Sequence, residues 1–151
     1  MIIRPASIDD FVILYALGKQ TSELRVSATE EFMQEDEFRM AITRDSAVFL
    51  CAEEKNKLMG FIYANARDKD KPLQQRYACL VYLVVHPNYR KRGVAQQLYL
   101  ACEKRLKEIG ITNLYGWARI SEEGMSPIRE FMKKQGFQKG HQYVWMDKKI
   151  L

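Results

Sequence analysis

The sequence is poor in the residues that build metal centres and disulfide frameworks. Its 151 residues include two histidines and three cysteines, Cys51, Cys79 and Cys102, which are far apart along the chain. Any one disulfide would leave a thiol over, and the spacing of these residues does not match that of zinc ligands. We therefore expect no metal site and free thiols, as in a reducing cytosol.

Long apolar runs are also missing. Residues Met1 to Pro5 lack the apolar stretch of a signal peptide. No apolar segment reaches the roughly 20 residues that a membrane-spanning helix needs. The sequence predicts a soluble cytoplasmic protein with no membrane partner.

The composition that remains is that of a folded domain with a basic balance. Apolar residues make up 47% of the chain, which is enough for a core, and the length fits a single domain spanning residues 1–151. The net charge of +5 favours an anionic partner, either a phosphate-bearing small molecule or nucleic acid. The same charge would also arise in a protein whose lysines only keep it in solution.

The pattern of apolar residues predicts the order strand, helix, helix, strand, strand, strand, helix, strand, helix, strand, strand. The second helix is predicted to have Thr29 as its N-cap and the last strands to lie between His141 and Ile150, whereas Ser121 to Ser126 is predicted as a loop. The fold class is α+β with α/β-type layers, in which helices flank a mixed, mostly antiparallel sheet of six to seven strands. The charged stretch from Arg67 to Arg76 is interpreted as a hairpin connection without chemistry.

The most informative stretch joins a strand to a helix through a basic turn. Tyr77 to Val85 is almost entirely apolar and predicts a strand buried on both faces, which Pro87 ends. The turn Arg90-Lys-Arg-Gly93 then leads into an amphipathic helix from Val94 to about Ile109. The free N–H groups and positive dipole end of such a helix bind phosphate.

Two motifs give the chain a family resemblance. Arg90-x-x-Gly93-x-Ala95, preceded by Val85-x-Pro87, resembles the acetyl-CoA pyrophosphate loop of the GNAT superfamily of N-acetyltransferases. Met132-Lys-Lys-Gln-Gly136-Phe137 is similar to the family's Tyr-Glu-Lys-x-Gly-Phe at the end of a helix. The resemblance covers essentially the whole chain and implies acetyl-CoA as cosubstrate and an amine as acceptor.

The resemblance also implies which residues hold acetyl-CoA. The pyrophosphate would bind the loop, where Arg90 and Arg92 add positive charge, and the pantetheine arm would pair with the edge of the preceding strand. Ser126 is a further expected contact, because it adjoins the position of a frequent family asparagine, here Met125. The expected cofactor-binding residues are Leu83, Val84, Val85, Arg90, Lys91, Arg92, Gly93, Val94, Ala95 and Ser126.

The usual acid and base of the family are absent. Many members carry a carboxylate on the central strand, where this chain has Cys79, Val81 and Tyr82, and the tyrosine that often serves as general acid is replaced by Met132. Tyr82 is the first candidate for proton transfer, although a strand aromatic also suits a purely core position. Tyr143 and Glu23 are further candidates. Catalysis could instead rest on positioning and carbonyl polarisation alone.

Three hypotheses follow from these residues. The first is an N-acetyltransferase in which a primary amine attacks the thioester directly, with a small-molecule or protein acceptor. The second, motivated by the missing acid and base, is a non-catalytic acyl-CoA-binding or regulatory module. A nucleic-acid-binding domain is disfavoured, because the aromatic residues lie at core positions and not along a basic stripe. The acceptor region, Lys19 to Arg44, has no recognisable motif, and monomer and homodimer both remain open.

Overall fold

The computed structural model describes residues 1–21, 24, 32–72, 74–118, 120–121, 124–125, 127–142, 144 and 146–151. Its helices are α1 Phe11–Gln20, α2 Glu35–Thr43, α3 Val94–Glu108 and α4 Pro127–Lys134. Its strands are β1 Ile2–Pro5, β2 Ala47–Glu54, β3 Lys57–Asn65, β4 Tyr77–Val85, β5 Asn113–Gly116, β6 Ile120–Ser121 and β7 Gly124–Met125. The predicted central strand is confirmed at the same bounds. The second helix begins at Glu35, and Thr29 lies outside the described residues.

Among the described residues, the main sheet has five strands in the order β1-β2-β3-β4-β5. The first four are antiparallel neighbours, and β5 pairs with β4 in parallel. The prediction of six to seven strands is therefore wrong. Within the predicted loop Ser121 to Ser126, the described residues Ser121, Gly124 and Met125 belong to the separate antiparallel pair of β6 and β7. The described residues of 141–150 form no strand, which illustrates that apolar alternation needs a partner edge before it becomes a strand.

Each face of the sheet covers its own apolar core. On what we call the α3 face, helix α3 buries Leu98, Cys102 and Leu106 against β2, β3 and β4. On the α1/α2 face, Phe38 is fully buried, with the ring centroids of Phe49 and Phe61 at 5.4 and 5.8 Å. Burial of each such side chain contributes about 1.5–3 kcal/mol relative to exposure. The two cores fix the sheet from both sides.

A β-bulge divides β4 into two halves, and the even-numbered side chains of the two halves project to opposite faces of the sheet. Leu80 pairs with Ala64 and Tyr82 with Tyr63, so Val81 has no counterpart in β3. An extra residue in one strand reverses the alternation of side chains beyond it. Accordingly Ala78 and Leu80 pack into the α3 face, whereas Tyr82 and Val84 pack into the α1/α2 face.

The predicted burial of β4 on both faces is wrong for much of the strand. Tyr77 is 41% exposed, and Cys79, Val81, Tyr82, Leu83 and Val85 are only half-buried. The reason is the short ladder with β5, which covers only Tyr77 to Leu80. Beyond Leu80 the strand stays paired with β3, but β5 no longer covers its other edge.

An ion-pair network fixes the start of the chain against the sheet. Arg4 donates two hydrogen bonds to the Asp10 carboxylate, at 2.8 and 2.9 Å, and its Nε donates to Glu53 at 3.0 Å. Asp10 is only 8% exposed and also accepts the Ser7 amide at 2.8 Å. The guanidinium holds the pKa of the Asp10 carboxyl below its usual range, because it stabilises the ionised form. The network joins β1, β2 and the start of α1.

Candidate functional site

The turn after β4 combines tight backbone geometry with an open surface. Pro87–Tyr89 forms a single 3-10 turn, and Lys91 and Gly93 have positive φ angles of 61° and 78°. Gly93 is the N-cap of α3, and a Cβ built on it would meet no atom within 4 Å. Glycine suits this position because it adopts the left-handed conformation without a steric cost.

The backbone amides of this turn point to an anion. Within the described part of the chain, no amide from Lys91 to Gln96 donates a hydrogen bond, and the first bond of the helix runs from Gln97 to the Gly93 carbonyl at 3.1 Å. These are the unsatisfied donors of a helix N-terminus together with those of the turn before it. A phosphate at this point would accept several N–H groups at the positive end of the helix dipole.

The basic side chains of the turn are partly committed to the protein itself. Arg90 Nε donates to the Val85 carbonyl at 3.1 Å, and Arg92 pairs with Glu54 at 3.0 Å. The Arg92 pair lowers the pKa of Glu54. Lys91 forms no ion pair with any residue that the structure describes. The backbone amides and Lys91 are therefore the groups that remain available to a ligand without breaking a contact.

The uncovered edge of β4 adjoins the same turn. The β4–β5 ladder ends at Leu80, so β5 does not cover the edge of β4 from Val81 to Val85. On the other side β3 approaches closely, since a Cβ on Gly60 would lie 2.4 Å from the Val84 carbonyl oxygen. An unpaired strand edge can accept an extended chain as an additional strand. The edge and the free amides are thus consecutive along one stretch of chain.

Tyr82 lies beside this edge. It projects to the α1/α2 face, is half-buried, and its ring centroid is 5.2 Å from that of Phe32. Cys79 is also half-buried, and burial raises the pKa of its thiol. A raised pKa disfavours the thiolate, so Cys79 is poorly suited to act as a nucleophile.

The second motif contributes to the core. Met132 is 8% exposed, and the Phe137 amide donates to its carbonyl at 3.0 Å where Gly136, with a φ of 91°, ends the helix. The Gln96 and Gln135 side-chain amides exchange hydrogen bonds of 3.2 and 2.6 Å, which ties the first turn of α3 to the end of α4. Sequence reasoning missed this pair, although each glutamine lies within or beside one of the two motifs.

Three predicted side chains, Ser126, Glu23 and Tyr143, lie outside the described residues. Among the residues that the structure does describe, no group of three or more histidine, cysteine, aspartate or glutamate side chains could hold a metal ion. None of the helices in the described ranges combines the length and apolar character needed to cross a bilayer.

Solved structures share this fold over nearly their full length. The aminoglycoside 6'-N-acetyltransferase AAC(6')-IG from Acinetobacter haemolyticus is 20% identical, with 99% of each chain covered and a TM-score of 0.74. A tetramutant of the BH1408 protein from Bacillus halodurans is 17% identical, with 98% of this chain and 100% of that chain covered and a TM-score of 0.80. A CoA complex of aminoglycoside N-acetyltransferase AAC(6')-Iy is 18% identical, with 99% and 100% covered and a TM-score of 0.73.

At these identities the likeness establishes a common fold. No curated protein has a significant sequence match to the chain. The model of the acetyltransferase (GNAT) family, however, matches residues 15–137, which include both motifs. The chain therefore belongs to the GNAT acetyltransferase family.

Proposed function

We propose that this protein is an acetyl-CoA-dependent N-acetyltransferase that modifies a primary amine. One observation carries the proposal: the amides from Lys91 to Gln96, which donate no hydrogen bond within the described residues, follow a strand edge that β5 does not cover. The first feature suits a pyrophosphate and the second suits an extended amide-containing arm. Coenzyme A contains both groups in that order, and a solved structure of the same fold is a CoA complex.

The residues present fit this cosubstrate. The amides of Lys91, Arg92, Gly93, Val94 and Ala95 would hold the pyrophosphate, and the open space at Gly93 allows close approach of the backbone. Lys91 would add charge, as would Arg90 and Arg92 from their present contacts. The edge of Leu83, Val84 and Val85 would hold the pantetheine arm, with Ser126 as a further contact. When bound, acetyl-CoA supplies the acetyl group as a thioester.

The transfer itself is proposed to be a direct attack. The nitrogen of a neutral amine forms a bond to the acetyl carbonyl carbon, the carbon–sulfur bond breaks, and its electron pair leaves with the sulfur. The thiolate takes one proton from the Tyr82 hydroxyl, and the proton lost by nitrogen passes through solvent to restore that hydroxyl. Tyr82 is proposed to donate to that sulfur, because its hydroxyl-bearing side chain stands next to the uncovered edge and β4 carries no carboxylate side chain.

Two measurements test the proposal. Calorimetric titration with acetyl-CoA, with CoA alongside, should give micromolar binding. Release of free thiol in the presence of an amine panel should then report turnover. Absence of binding by both CoA species would refute the assignment of the turn and of the strand edge together.

The alternative is a non-catalytic acyl-CoA-binding or regulatory module. It is favoured by Met132, which is buried in the core at the position where family members often have a tyrosine that acts as general acid. This alternative predicts equal calorimetric binding but no thiol release with any amine. The three free cysteines support a reducing compartment for either function, and we place the protein in the cytoplasm.

A further inference from the structure

A concave site lies at the opposite end of β4 from the basic turn. The cavity has a volume of about 570 Å³, and we call it the Asn65 cleft. Its lining comes from the end of β3, the loop that follows, the start of β4, and β5. The lining residues are Asn65, Arg67, Asp68, Lys71, Tyr77 and Tyr115.

The cleft opens on the same face of the sheet as Tyr82. Ala78 and Leu80 pack into the α3 face. Because side chains alternate along a strand, Tyr77 and Cys79 point to the opposite face. Beyond the bulge, Tyr82 packs on that opposite face too. Cys79, the register partner of both Asn65 and Tyr115, is three residues from Tyr82, which is about 10 Å along a strand. A small molecule in the cleft would therefore reach the uncovered part of β4.

One buried acceptor in the cleft has no partner. The Asn65 Oδ1 atom is buried and accepts no hydrogen bond from any described residue. Leaving a buried amide oxygen unsatisfied is unfavourable, so an N–H or O–H donor that reaches it, from water or from a ligand, is favoured there. An amine or ammonium group supplies such a donor.

The charged groups of the cleft favour an anion beside that donor. Lys71 pairs with Asp68 at 2.7 Å, and Asp68 also accepts the Tyr77 amide at 3.2 Å. Arg67 is exposed and forms no ion pair within the described part of the chain. A guanidinium binds a carboxylate through two parallel hydrogen bonds. The cleft thus offers one uncompensated cation.

The remaining walls are aromatic. Tyr77 and Tyr115 are 41% and 37% exposed, and their ring centroids are 6.4 Å apart. Such partly exposed rings pack well against a flat or apolar group of a ligand. The cleft therefore combines a hydrogen-bond acceptor, a cation and an aromatic surface.

From this combination we infer that the Asn65 cleft binds the acceptor, and that the acceptor is a primary amine carrying a carboxylate, of the amino-acid type. The inference rests on the proposed transferase function and names the substrate class of that site. Arg67 holds the carboxylate, Asn65 accepts an N–H of the amine, and the tyrosines contact the side chain. The amine nitrogen then forms its bond to the acetyl carbon as the carbon–sulfur bond breaks. Two of the similar structures are aminoglycoside N-acetyltransferases. Aminoglycosides carry several amines and would bring several positive charges to a cleft whose own net charge is already positive.

The test compares two amines that differ only in the carboxylate, phenylalanine and phenethylamine, with kanamycin as the polycation. Thiol release gives kcat/KM for the wild type, for Arg67→Gln, and for Lys69→Gln. Lys69 is the matched control, because it is in the same loop and carries the same charge but pairs with Asp45 outside the cleft. We expect Arg67→Gln to lower kcat/KM for phenylalanine at least tenfold and to leave phenethylamine unchanged. Lys69→Gln should change neither.

Equal losses for phenylalanine and phenethylamine in Arg67→Gln, or preferential acetylation of kanamycin by the wild type, would overturn the inference. Acetyl-CoA affinity, measured in parallel, should be the same in all three proteins. Binding of N-acetylphenylalanine by calorimetry gives a readout that does not need turnover. Binding that depends on Arg67 without any turnover would support the cleft and refute the transferase. Binding that is absent or independent of Arg67 would refute the cleft.

Discussion

Replacing Gly93 tests the pyrophosphate assignment with a matched pair of variants. Gly93→Asp and Gly93→Asn have nearly the same shape and differ by one negative charge. Both residues tolerate the left-handed conformation better than other side chains do, so the φ of 78° imposes a similar cost on each. A Cβ at this position meets nothing within 4 Å, so neither variant creates a clash inside the protein.

The expected difference follows from the charge alone. At a separation of about 6 Å, two unit charges repel by about 0.7 kcal/mol in water and about 2.8 kcal/mol at an effective dielectric constant of about 20. Gly93 is exposed, so the lower figure applies, and two phosphate charges double it to about 1.4 kcal/mol. Because that energy corresponds to a tenfold change in affinity, Gly93→Asp should bind acetyl-CoA at least tenfold more weakly than Gly93→Asn.

Calorimetric titration of both variants at low and high salt is the assay. The difference should shrink as salt rises, because the Debye length falls from about 10 Å at 0.1 M to about 3 Å at 1 M. Thermal unfolding of the two variants should be the same within error. Equal affinities for the Asp and Asn variants would show that no phosphate lies at this turn, and the assignment of Lys91 to Ala95 would then be wrong.

Three further predictions concern other parts of the molecule. Tyr82→Phe should lower kcat about 10²-fold, as for loss of a general acid, with an unchanged Kd for acetyl-CoA; unchanged turnover would restrict Tyr82 to packing against Phe32. Asp10→Asn should lower the free energy of unfolding in urea by about 2 kcal/mol, since Arg4 loses a charged bidentate partner. Because folding lowers the pKa of Asp10, this stabilisation is present above the unfolded pKa of about 3.9 and is lost as the pH falls through the folded pKa. Asp10→Asn should therefore lose less stability in acid than the wild type does. The same acid profile in both proteins would contradict the role of the pair. Cys102, whose pKa burial raises to about 12, should react with a thiol reagent at pH 8 only after unfolding, and rapid labelling of the native protein would contradict its place in the core.

The elements nearest to the motif were readable from the sequence. The strand Tyr77–Val85 and the start of α3 at Val94 have the predicted bounds, because β-branched residues, Pro87 and Gly93 are strong local signals. The left-handed Gly93 follows from the same chemistry. These features depend on residues that are neighbours in the chain.

The bulge at Val81 could not be predicted. The run from Tyr77 to Val85 is apolar at almost every position, so it contains no alternation whose phase could be seen to change. Unless the bulge is known, the faces of the sheet to which Cys79 and Tyr82 project cannot be assigned from the sequence. The Asn65 cleft was missed for the same reason, since its walls meet only through the registers of β3, β4 and β5.

The sequence also misled where a pattern lacked its partner. Val144, Met146 and Ile150 suit a strand but are 84%, 89% and 82% exposed in the structure. Arg92 contacts Glu54, which is far away in the sequence, and Arg90 turns back to the Val85 carbonyl. No motif specifies either contact. The presence of basic residues in the motif was therefore predictable, but the groups that their side chains contact were not.

The single unmatched residue of β4 has a consequence for how this strand tolerates change. A systematic substitution scan should find the sensitive positions of β4 at Ala78, Leu80 and Val84, but the first two support the core that α3 covers and the third supports the core of the α1/α2 face. Deleting Val81 would remove the bulge and restore a regular ladder, so each remaining side chain of β4 should keep its face while the strand loses its local bend. Substitutions at Tyr77 and Cys79, which face away from α3, should therefore leave the core that α3 covers undisturbed, whereas substitutions at Ala78 and Leu80 should destabilise it.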